Sequence, residues 1–335
     1  MATIKEIARK ANVSTATVSK ALNSRHDVSA ETRRRILEIA KSHNFVPSAS
    51  AKNLKLQRTE NIGVIFCRES QPLSGNPFYS RVLEGIEAES AINNYNLVLH
   101  LLPNEYRDTL PKMIREKQVD GLILVGVMSE DFIRRLAEVK IICVLVDPKI
   151  HLENMSQVLI DNEHGAFQAT QYLINFGHKR IGFISGDLER LSFNLRLKGY
   201  RKALKYNGIE FDERLIVTGG IEKGYDHTTQ LLQLESRPTA IFSANDINAI
   251  FGYKAISDAG LKIPDDISVI GFDDIELSKI SNPPLSTMRV YKEEMGSIAV
   301  RVLLQMMRNE IDKPLTTMIP IKLVERSSVS TAKTK

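Results

Sequence analysis

The first twenty-three residues carry the feature that most constrains this chain, two short helical patterns separated by a turn. The segment from Thr3 to Glu6 matches S/T-x-x-E, the capping box that satisfies the free amides at a helix start. Apolar residues then recur at helical spacing, and Ser14 is placed to cap a second helix that runs through Asn23. Two short helices joined by three or four residues predict a helix-turn-helix, whose second helix lies in the DNA major groove.

Residues 1–60 hold a strong excess of positive charge. They carry twelve Lys and Arg against five Asp and Glu, a net charge of +7, whereas the remaining 275 residues carry 33 basic and 35 acidic side chains. A basic head on a nearly neutral body is typical of a phosphate-binding module joined to a second domain. A solvated basic surface without a partner is the alternative.

On the second helix, the side chains that do not pack on the first helix are the candidates for reading bases. Ala16 or the Thr15 methyl can contact a thymine methyl, and Lys20 can donate to guanine O6 or N7. Ordinary surface residues are the alternative. The predicted DNA contacts of the head and of the segment after it are Thr3, Ser14, Thr15, Ala16, Thr17, Ser19, Lys20, Asn23, Ser29 and Leu54.

Ser29 is placed to cap a third helix over 30–42, and the first residues of this helix include three arginines that can contact phosphates. The residues predicted to face the core of the head are Ile36, Leu37, Ile39 and Ala40.

A basic, Ala-rich segment follows at 47–58 and begins with Pro47, which suits the first position of a short helix. The segment is too short to be a stable isolated helix in water. Two copies packed across a dimer axis can fold on a duplex and insert Leu54 into the minor groove as a wedge. A plain linker is the alternative.

The body alternates short β-branched runs with amphipathic stretches, which predicts parallel sheets covered by helices and divided between two lobes. Candidate strands are 62–67, 97–102, 121–125, 141–146, 180–185, 240–243 and 268–272. Candidate helices are 79–92, 165–176, 193–206, 247–258 and 293–307. Ligands bind at the carboxyl ends of the strands in such sheets. The polar residues at those ends are Asp147, Asn245, Asp246, Asp273 and Asp274, and Arg196 opens a helix beside a strand end.

Taken together, these segments resemble the lac/gal repressor family of bacterial transcription regulators over nearly the whole chain. Several motifs in one order are far more specific than any single motif. They are Thr3–Asn23, Val28-Ser29-Ala30, Pro47 through Leu54, Asn76-Pro77-Phe78, Val119-Asp120-Gly121, Gly177 to Ile181, Arg196 to Tyr200, Pro238 to Phe242, Asn245-Asp246 and Gly271 to Asp274.

The resemblance implies an all-α helix-turn-helix head and an α/β body of two doubly wound parallel-sheet lobes, similar to periplasmic sugar-binding proteins. The implied domains are the head at 1–46, a hinge at 47–58 and an effector-binding and dimerisation domain at 59–330. Lobe one comprises 59–160 plus 290–320, and lobe two comprises 161–289 plus 321–330. In this family the hinge helices fold on operator DNA, and a Leu at the position of Leu54 opens the central base step.

The resemblance also implies the effector site. Phe78 and Tyr79 stand where the family stacks an aromatic or apolar wall on the ligand. Arg190 and Ser192 follow from similarity to the purine-binding branch, although Ile221 stands where that branch has a Phe that stacks on the base. The predicted effector contacts are Phe78, Tyr79, Asp147, Arg190, Ser192, Arg196, Asn245 and Asp273.

The sequence therefore predicts a ligand-controlled, sequence-specific transcription regulator that represses by occupying promoter DNA. It is expected to act as a homodimer on a pseudopalindromic operator, because operator symmetry mirrors the dimer. The effector is expected to be a sugar or sugar derivative, and Arg190, Arg196 and Lys292 together favour an anionic one. The alternatives within the family are a purine-responsive regulator and a regulator that needs a phosphocarrier protein as corepressor.

Catalysis is not predicted. No G-x-G-x-x-G follows a strand, and no Walker A motif, G-x-S-x-G elbow or metal-ligand cluster occurs. We expect no cofactor, no metal and no membrane contact, and a cytoplasmic location, because neither a signal peptide nor an apolar run of membrane-spanning length is present. Two other functional classes are alternatives, a solute-binding protein of a transporter and an architectural DNA-binding protein without ligand control. The basic head argues against the first class and the cleft argues against the second.

Overall fold

The computed structural model describes residues 3–22, 27–43, 45, 58–67, 73–102 and 109–333. Asn23 and Leu54, two of the predicted DNA contacts, lie outside these residues, as does nearly all of the predicted hinge. The chain divides into two compact units, Met1–Glu60 and Asn61–Lys335.

The head contains the three helices that the sequence predicts, α1 (Ile4–Ala11), α2 (Thr15–Leu22) and α3 (Ala30–Ser42). The capping box is formed at α1, where the amide of Glu6 donates to the Thr3 hydroxyl and the Glu6 carboxylate accepts from the Thr3 amide. The tight turn that follows α1 requires the left-handed backbone conformation, which Asn12 adopts with φ of +50°.

The core of the head is small. Its buried members are Ile7, Ala8, Ala11, Val18, Ala21, Val28 and Ile36. The prediction for Leu37 is wrong, because this side chain is 45% exposed. Ile36 and Ala40 are one helical turn apart and share the buried face of α3, whereas the next residue along the chain is rotated about 100° away from it.

One six-stranded sheet of the body is parallel throughout, in the order β11-β5-β4-β3-β1-β2. Its strands are β1 (Asn61–Cys67), β2 (Asn96–Leu102), β3 (Gly121–Val125), β4 (Cys143–Val146), β5 (Ser156–Ile160) and β11 (Thr316–Ile319). The helices of this lobe are α4 (Tyr79–Ile92), α5 (Lys112–Arg115), α6 (Glu130–Val139) and α12 (Lys292–Met307). A short 3-10 helix at Leu73–Gly75 precedes α4.

The other six-stranded sheet has the order β12-β10-β9-β8-β6-β7, and only β12 runs antiparallel to its neighbour. Its strands are β6 (Ile181–Ser185), β7 (Ile216–Thr218), β8 (Ala240–Ser243), β9 (Ser268–Asp273), β10 (Ser286–Val290) and β12 (Ile321–Val324). The helices of this lobe are α7 (Asn162–Asn175), α8 (Leu191–Tyr206), α9 (Gly224–Leu232), α10 (Asp246–Asp258) and α11 (Glu276–Ile280), and a 3-10 helix spans Glu213–Leu215.

The chain passes between the two sheets three times within the described residues. It leaves the first sheet after Ile160, returns after Val290, and crosses again at Pro320, between β11 and β12. Each sheet carries buried apolar strands of the kind that parallel sheets require, because helices cover both faces. The domain boundaries read from the sequence remain a prediction.

Candidate ligand cavity and DNA-reading helix

The outer face of α2 presents the side chains predicted to read bases. Thr15, Ala16 and Lys20 are exposed. The ammonium of Lys20 lies 2.5 Å from a carboxylate oxygen of Asp27. Both side chains are about half exposed, and such a pair contributes only about 0–1 kcal/mol. Lys20 can therefore exchange Asp27 for a base edge or a phosphate at little cost.

Three of the hydroxyl groups predicted to contact DNA act as helix caps within the head. Thr3, Ser14 and Ser29 each accept a hydrogen bond from a backbone amide in the first turn of α1, α2 and α3. Thr17 and Ser19 are half-buried. The free amides and the helix dipole at such helix starts attract phosphate. Phosphate binding by these residues remains a prediction.

A cavity of about 60 Å³ lies between the carboxyl ends of the two sheets. The structure brings all eight predicted effector contacts to its lining, Phe78, Tyr79, Asp147, Arg190, Ser192, Arg196, Asn245 and Asp273. The lining residues that were not predicted as contacts are Asn76, Pro77, Phe193, Ile221, Ile247 and Ile275. Most of these are apolar, and no chemical signal in an isolated apolar residue distinguishes a cavity wall from a core.

Local backbone structure positions the polar groups of this cavity. The side-chain oxygen of Asn76 accepts hydrogen bonds from the amides of Phe78 and Tyr79, at 3.1 and 3.0 Å, and so fixes the start of α4. Asp147 and Asp273 directly follow or end a strand, and both have positive φ, +50° and +114°. Residues other than glycine rarely adopt these conformations, and they concentrate at functional sites.

Arg196 is buried on the floor of the cavity, with 4% of its side chain exposed. Its guanidinium donates to the side-chain oxygen of Asn162 at 2.8 Å and to the carbonyl of Ala244, and it lies 3.3 Å from a carboxylate oxygen of Asp273. The central carbon of the guanidinium, Cζ, lies over the Phe272 ring, 3.8 Å from its centre. The charge of Arg196 is therefore compensated from within the protein.

A hydroxyl bridge crosses the cavity from one lobe to the other. The Tyr79 hydroxyl donates to a carboxylate oxygen of Asp147 at 2.9 Å, and Arg190 donates to the same hydroxyl at 2.9 Å. Tyr79 and Asp147 belong to the first lobe, whereas Arg190 directly precedes α8 in the second. At the rim, Lys149 and Glu189 add an ion pair between the lobes at 2.8 Å.

Burial shifts the titration of the acids in the cavity. The pKa of Asp273 rises to about 6, because loss of hydration outweighs the attraction of Arg196 and Lys292 for the charged form. Burial also raises the pKa of Asp147, against the opposing effect of Arg190. Both groups are therefore more easily protonated than a surface carboxyl.

Asn245 presents an unused donor. Its side-chain oxygen caps α10 by accepting from the amide of Asn248 at 2.7 Å. Its side-chain nitrogen is buried and has no hydrogen-bond partner among the described residues. A buried donor without a partner costs free energy, and a ligand oxygen at this cavity wall would satisfy it.

Two of the strand-end acids, Asp246 and Asp274, have structural partners. Asp246 accepts hydrogen bonds from the hydroxyls of Ser278 and Thr287, both at 2.6 Å, and from the amide of Ile275 at 2.9 Å. Burial, with the nearby charge of Asp273, raises the pKa of Asp246 to about 7. Asp246 does not line the cavity, and of its three hydrogen-bond partners only Ile275 does.

Asp274 is held from the opposite side. Its carboxylate pairs with Arg289 and Arg326, each at 2.6 Å, and these pairs lower its pKa against the opposing effect of burial. The ammonium of Lys292 donates to three backbone carbonyls and does not line the cavity. Lys292 and the compensated Arg196 thus give no excess positive charge, which removes most of the basis for expecting an anionic ligand.

A larger cavity, of about 750 Å³, lies elsewhere in the first lobe between α6, β4 and the segment before β11. None of the predicted effector contacts lines it. Among the described residues, no group of three or more His, Cys, Asp or Glu is arranged to hold a metal ion, and no helix is long and apolar enough to cross a membrane.

A helix-turn-helix head joined to two parallel α/β lobes with a polar cavity between them defines a class, the ligand-binding regulators of DNA. Residues 3–48 match the family described as bacterial regulatory proteins, lacI family, and residues 170–329 match the periplasmic binding protein-like domain. The ribose operon repressor of Haemophilus influenzae is 35% identical over 99% of this chain and 100% of the repressor. The chain therefore belongs to the lacI family of bacterial regulatory proteins, and the predicted family and fold class are confirmed.

Other relatives extend the comparison. The HTH-type transcriptional repressor PurR of Vibrio atlanticus is 35% identical, over 99% of each chain. The lac repressor dimer bound to operator and the anti-inducer ONPF has a TM-score of 0.87 at 26% identity, over 98% of this chain and 99% of the other. A LacI family regulator from Enterococcus faecium with bound ribose has a TM-score of 0.72 at 26% identity, over 82% of this chain and 100% of the other.

Proposed function

We propose that this chain is a repressor whose affinity for operator DNA is controlled by a neutral sugar bound in the cavity between the lobes. The observation that carries the proposal is the charge balance of that cavity. Two carboxylates, Asp147 and Asp273, face two guanidinium groups, Arg190 and Arg196. The charges of the site therefore balance one another, and a charged ligand is not needed to neutralise them.

A sugar satisfies the groups that the cavity offers. Ionised carboxylates accept hydrogen bonds from hydroxyls, whereas the unpaired donor of Asn245 needs an oxygen acceptor. A sugar hydroxyl supplies both functions, and the rings of Phe78 and Phe193 offer apolar walls to its C–H face. Relatives named as ribose operon repressors, and the family member with bound ribose, support D-ribose as the first ligand to test.

Two alternatives remain within the family. A purine is favoured by the relatives named PurR and by Arg190 and Ser192, which resemble the purine-binding branch. Ile221 at the cavity wall, however, offers no ring on which a base could stack. A phosphocarrier protein as corepressor is supported only by the family resemblance.

The DNA side of the proposal rests on the head. Two copies of α2 in successive major grooves would read a pseudopalindrome, with Thr15, Ala16 and Lys20 at the bases and paired Leu54 side chains at the centre. We also propose that the protein is cytoplasmic, where a repressor has access to the nucleoid, and that it has no catalytic activity.

A homodimer needs an apolar contact surface, and the second lobe offers one. Phe251 on α10 and Leu277 and Ile280 on α11 are large apolar side chains left exposed in the single chain. Exposed apolar side chains on neighbouring helices are typical of an interface. We assign them to the dimer contact of lobe two.

Titration calorimetry of the full chain tests the ligand assignment. The ligands are D-ribose, D-ribose 5-phosphate, a sugar acid and hypoxanthine. The proposal expects binding of D-ribose and at least tenfold weaker binding of the two anionic compounds, because they would place a further negative charge beside the carboxylates of Asp147 and Asp273. Exclusive binding of hypoxanthine would establish the purine alternative, and exclusive binding of the phosphate would overturn the charge-balance argument.

A further inference from the structure

Lys292 occupies an unusual place between the lobes. It is the first residue of α12 in the first lobe, and only Tyr291 separates it from Val290, the last residue of β10 in the second lobe. A lysine at a crossing between lobes ordinarily extends into water, yet this residue is only 5% exposed.

The ammonium of Lys292 ties two strand ends together. It donates to the carbonyl of Asp273 at 2.5 Å and to the carbonyls of Asp274 and Val290 at 3.3 Å each. The first two carbonyls belong to the end of β9 and the residue after it, and the third ends β10 at the crossing itself. One charged group from lobe one thus holds three backbone acceptors of lobe two.

The turn held in this way is strained. Asp273 and Asp274 follow each other with φ of +114° and +52°, conformations that residues with a Cβ rarely adopt and that persist only when surrounding contacts enforce them. The side chain of Asp274 is fixed within lobe two by Arg289 and Arg326. The hydrogen bonds from Lys292 fix the backbone of the same turn from lobe one.

The opposite side of this turn faces the ligand cavity, because the carboxylate of Asp273 lies beside Arg196 there. A ligand that binds the side chain of Asp273 therefore acts on a backbone whose carbonyl is bound by Lys292. The charged groups near the Asp273 carboxylate are Arg196 on α8, Lys292 on α12, Asp147 after β4 and Asp246 on α10.

Movement of Lys292 would not stay local. The start of α12 packs so closely on α4 that a Cβ on Gly85 would lie 1.9 Å from the carbonyl oxygen of Glu293, and a Cβ on Gly296 would lie 2.1 Å from that of Val82. Helices in such close contact move as one body. The same α4 carries Tyr79, the first-lobe member of the hydroxyl bridge.

We infer that Lys292 is a positioning residue that couples occupancy of the ligand-facing Asp273 turn to the angle between the lobes, and thereby to operator affinity. The inference rests on the proposed function for its ligand. Lys292 itself does not touch the ligand, so its removal separates ligand binding from the response to ligand.

The experiment compares the full-length wild type with Lys292→Met, which keeps an unbranched side chain one atom shorter than lysine but removes its donors and charge. Lys292→Arg restores both and serves as the rescue variant. Lys322→Met, at an exposed lysine on β12, is the matched control. Each protein is titrated with D-ribose by calorimetry, and its operator affinity is measured with and without saturating D-ribose.

For Lys292→Met we expect D-ribose affinity within about tenfold of wild type but less than a twofold effect of the sugar on operator affinity, against at least fivefold in wild type. The rescue and control variants should keep the wild-type effect. A fivefold or larger effect in Lys292→Met would overturn the inference. If Lys292→Met does not fold, Lys292→Gln carries the same comparison and the same criterion.

Hydrogen exchange of the ligand-free proteins tests whether Lys292 holds the ends of β9 and β10 together. In Lys292→Met, protection should fall at least tenfold in two separate segments, around 273–276 and around 290–294, while Lys292→Arg keeps wild-type protection. If protection is unchanged in both segments, or falls in only one of them, Lys292 does not hold the two strand ends together and the inference is overturned. A wild-type protein that responds to no sugar would overturn the proposed function instead, and the exchange result would stand independently.

Discussion

At the residue scale, Arg196 combines two roles that sequence reasoning kept apart. The strand-end pattern and the family resemblance predict a ligand contact, and the structure places Arg196 at the cavity wall. It also shows a fully compensated buried cation, bound to Asn162, Ala244 and Asp273. A substitution at this position will therefore change folding as well as ligand response.

Arg196→Ala should lower the free energy of unfolding by about 3–5 kcal/mol, because it leaves the carboxylate of Asp273 buried without its main partner. Urea denaturation followed by circular dichroism measures the change. Arg201→Ala, on the exposed face of the same helix, should cost less than about 1.5 kcal/mol. Equal losses in the two variants would contradict the assignment of a buried ion pair.

Ligand affinity should depend on pH through Asp273. Its pKa of about 6 means that the carboxylate is charged above pH 6 and becomes protonated below it. Protonation removes the ion pair with Arg196 and one hydroxyl acceptor, so D-ribose affinity should fall up to tenfold per pH unit below about pH 6. Calorimetry from pH 5 to 8 checks this, and Asp273→Asn should show weak binding without that pH dependence.

The same shift makes a linked prediction for stability, with the opposite sign. The pKa of Asp273 is higher in the folded state than its ordinary value of 3.8, so the folded state binds the proton more tightly. This group alone therefore lowers the free energy of unfolding as pH rises from about 4 to about 6. The difference between wild type and Asp273→Asn should shrink toward low pH.

At the element scale, helix pairs in the body pack through glycines. A Cβ on Gly199 of α8 would lie 2.1 Å from the carbonyl oxygen of Glu163 on α7, and a Cβ on Gly224 of α9 would lie 2.1 Å from that of Asn248 on α10. In both pairs the obstacle is backbone, which cannot rotate away as a side chain can.

Gly199→Ala should destabilise the body by about 1–3 kcal/mol, because the methyl group forces α7 and α8 apart. Thermal unfolding of the full chain measures the loss. Gly220→Ala is the matched control, since the nearest atom to its Cβ is 3.6 Å away and belongs to the flexible Lys223 side chain. The control should change stability by no more than about 1 kcal/mol. A similar loss in both variants would show that close packing is not the cause.

Helix α2 of the head is expected to read the operator bases, and Lys20 on this helix gives a testable prediction. Lys20→Ala should relax base preference by about 1–3 kcal/mol at one position in each half-site, provided that Lys20 donates to a guanine. Operator variants at each position, measured by fluorescence anisotropy, test this. A uniform loss across all operators would mean that Lys20 contacts only phosphate. Asp27→Asn, which frees Lys20 from its ion pair, is the control for the surface charge.

Long amphipathic helices could be predicted from the sequence to within a few residues, as α4, α8, α10 and α12 show. Their apolar spacing is set by the buried face alone. Strand β5 was missed because it begins with two polar residues, Ser156 and Gln157, which are buried through hydrogen bonds to residues outside the strand. No local pattern reports such distant partners.

The candidate site was predictable for a different reason. Asp147, Asn245 and Asp273 stand at strand ends, which a sequence pattern can locate, and the family resemblance completed the set of eight predicted contacts. The network around Lys292 was not predictable, because its acceptors are backbone carbonyls that carry no residue signal. The sequence therefore favours an anionic ligand, whereas the structure shows that the charge of Lys292 is already satisfied by these carbonyls.

At the scale of the whole molecule, the proposed dimer follows from side chains that the single chain leaves exposed. Replacing Leu277 and Ile280 together by Asp should dissociate the dimer, since two charges would have to be buried in an apolar contact. Sedimentation equilibrium measures the mass. Tyr206→Asp, at a side chain that is also 77% exposed but lies on α8, is the control and should leave the mass unchanged. A dimer of unaltered stability in the double variant would place the interface elsewhere.

The central claim is that one chain couples a sugar cavity between two lobes to a DNA-reading head. The most direct measurement is the affinity of the full-length protein for a pseudopalindromic operator selected from random duplex, at physiological ionic strength, with and without saturating D-ribose. We expect a preference for the selected operator of at least a thousandfold and a change of at least fivefold on adding the sugar. Equal affinity for operator and random duplex, or an affinity that no neutral sugar alters, would contradict the account.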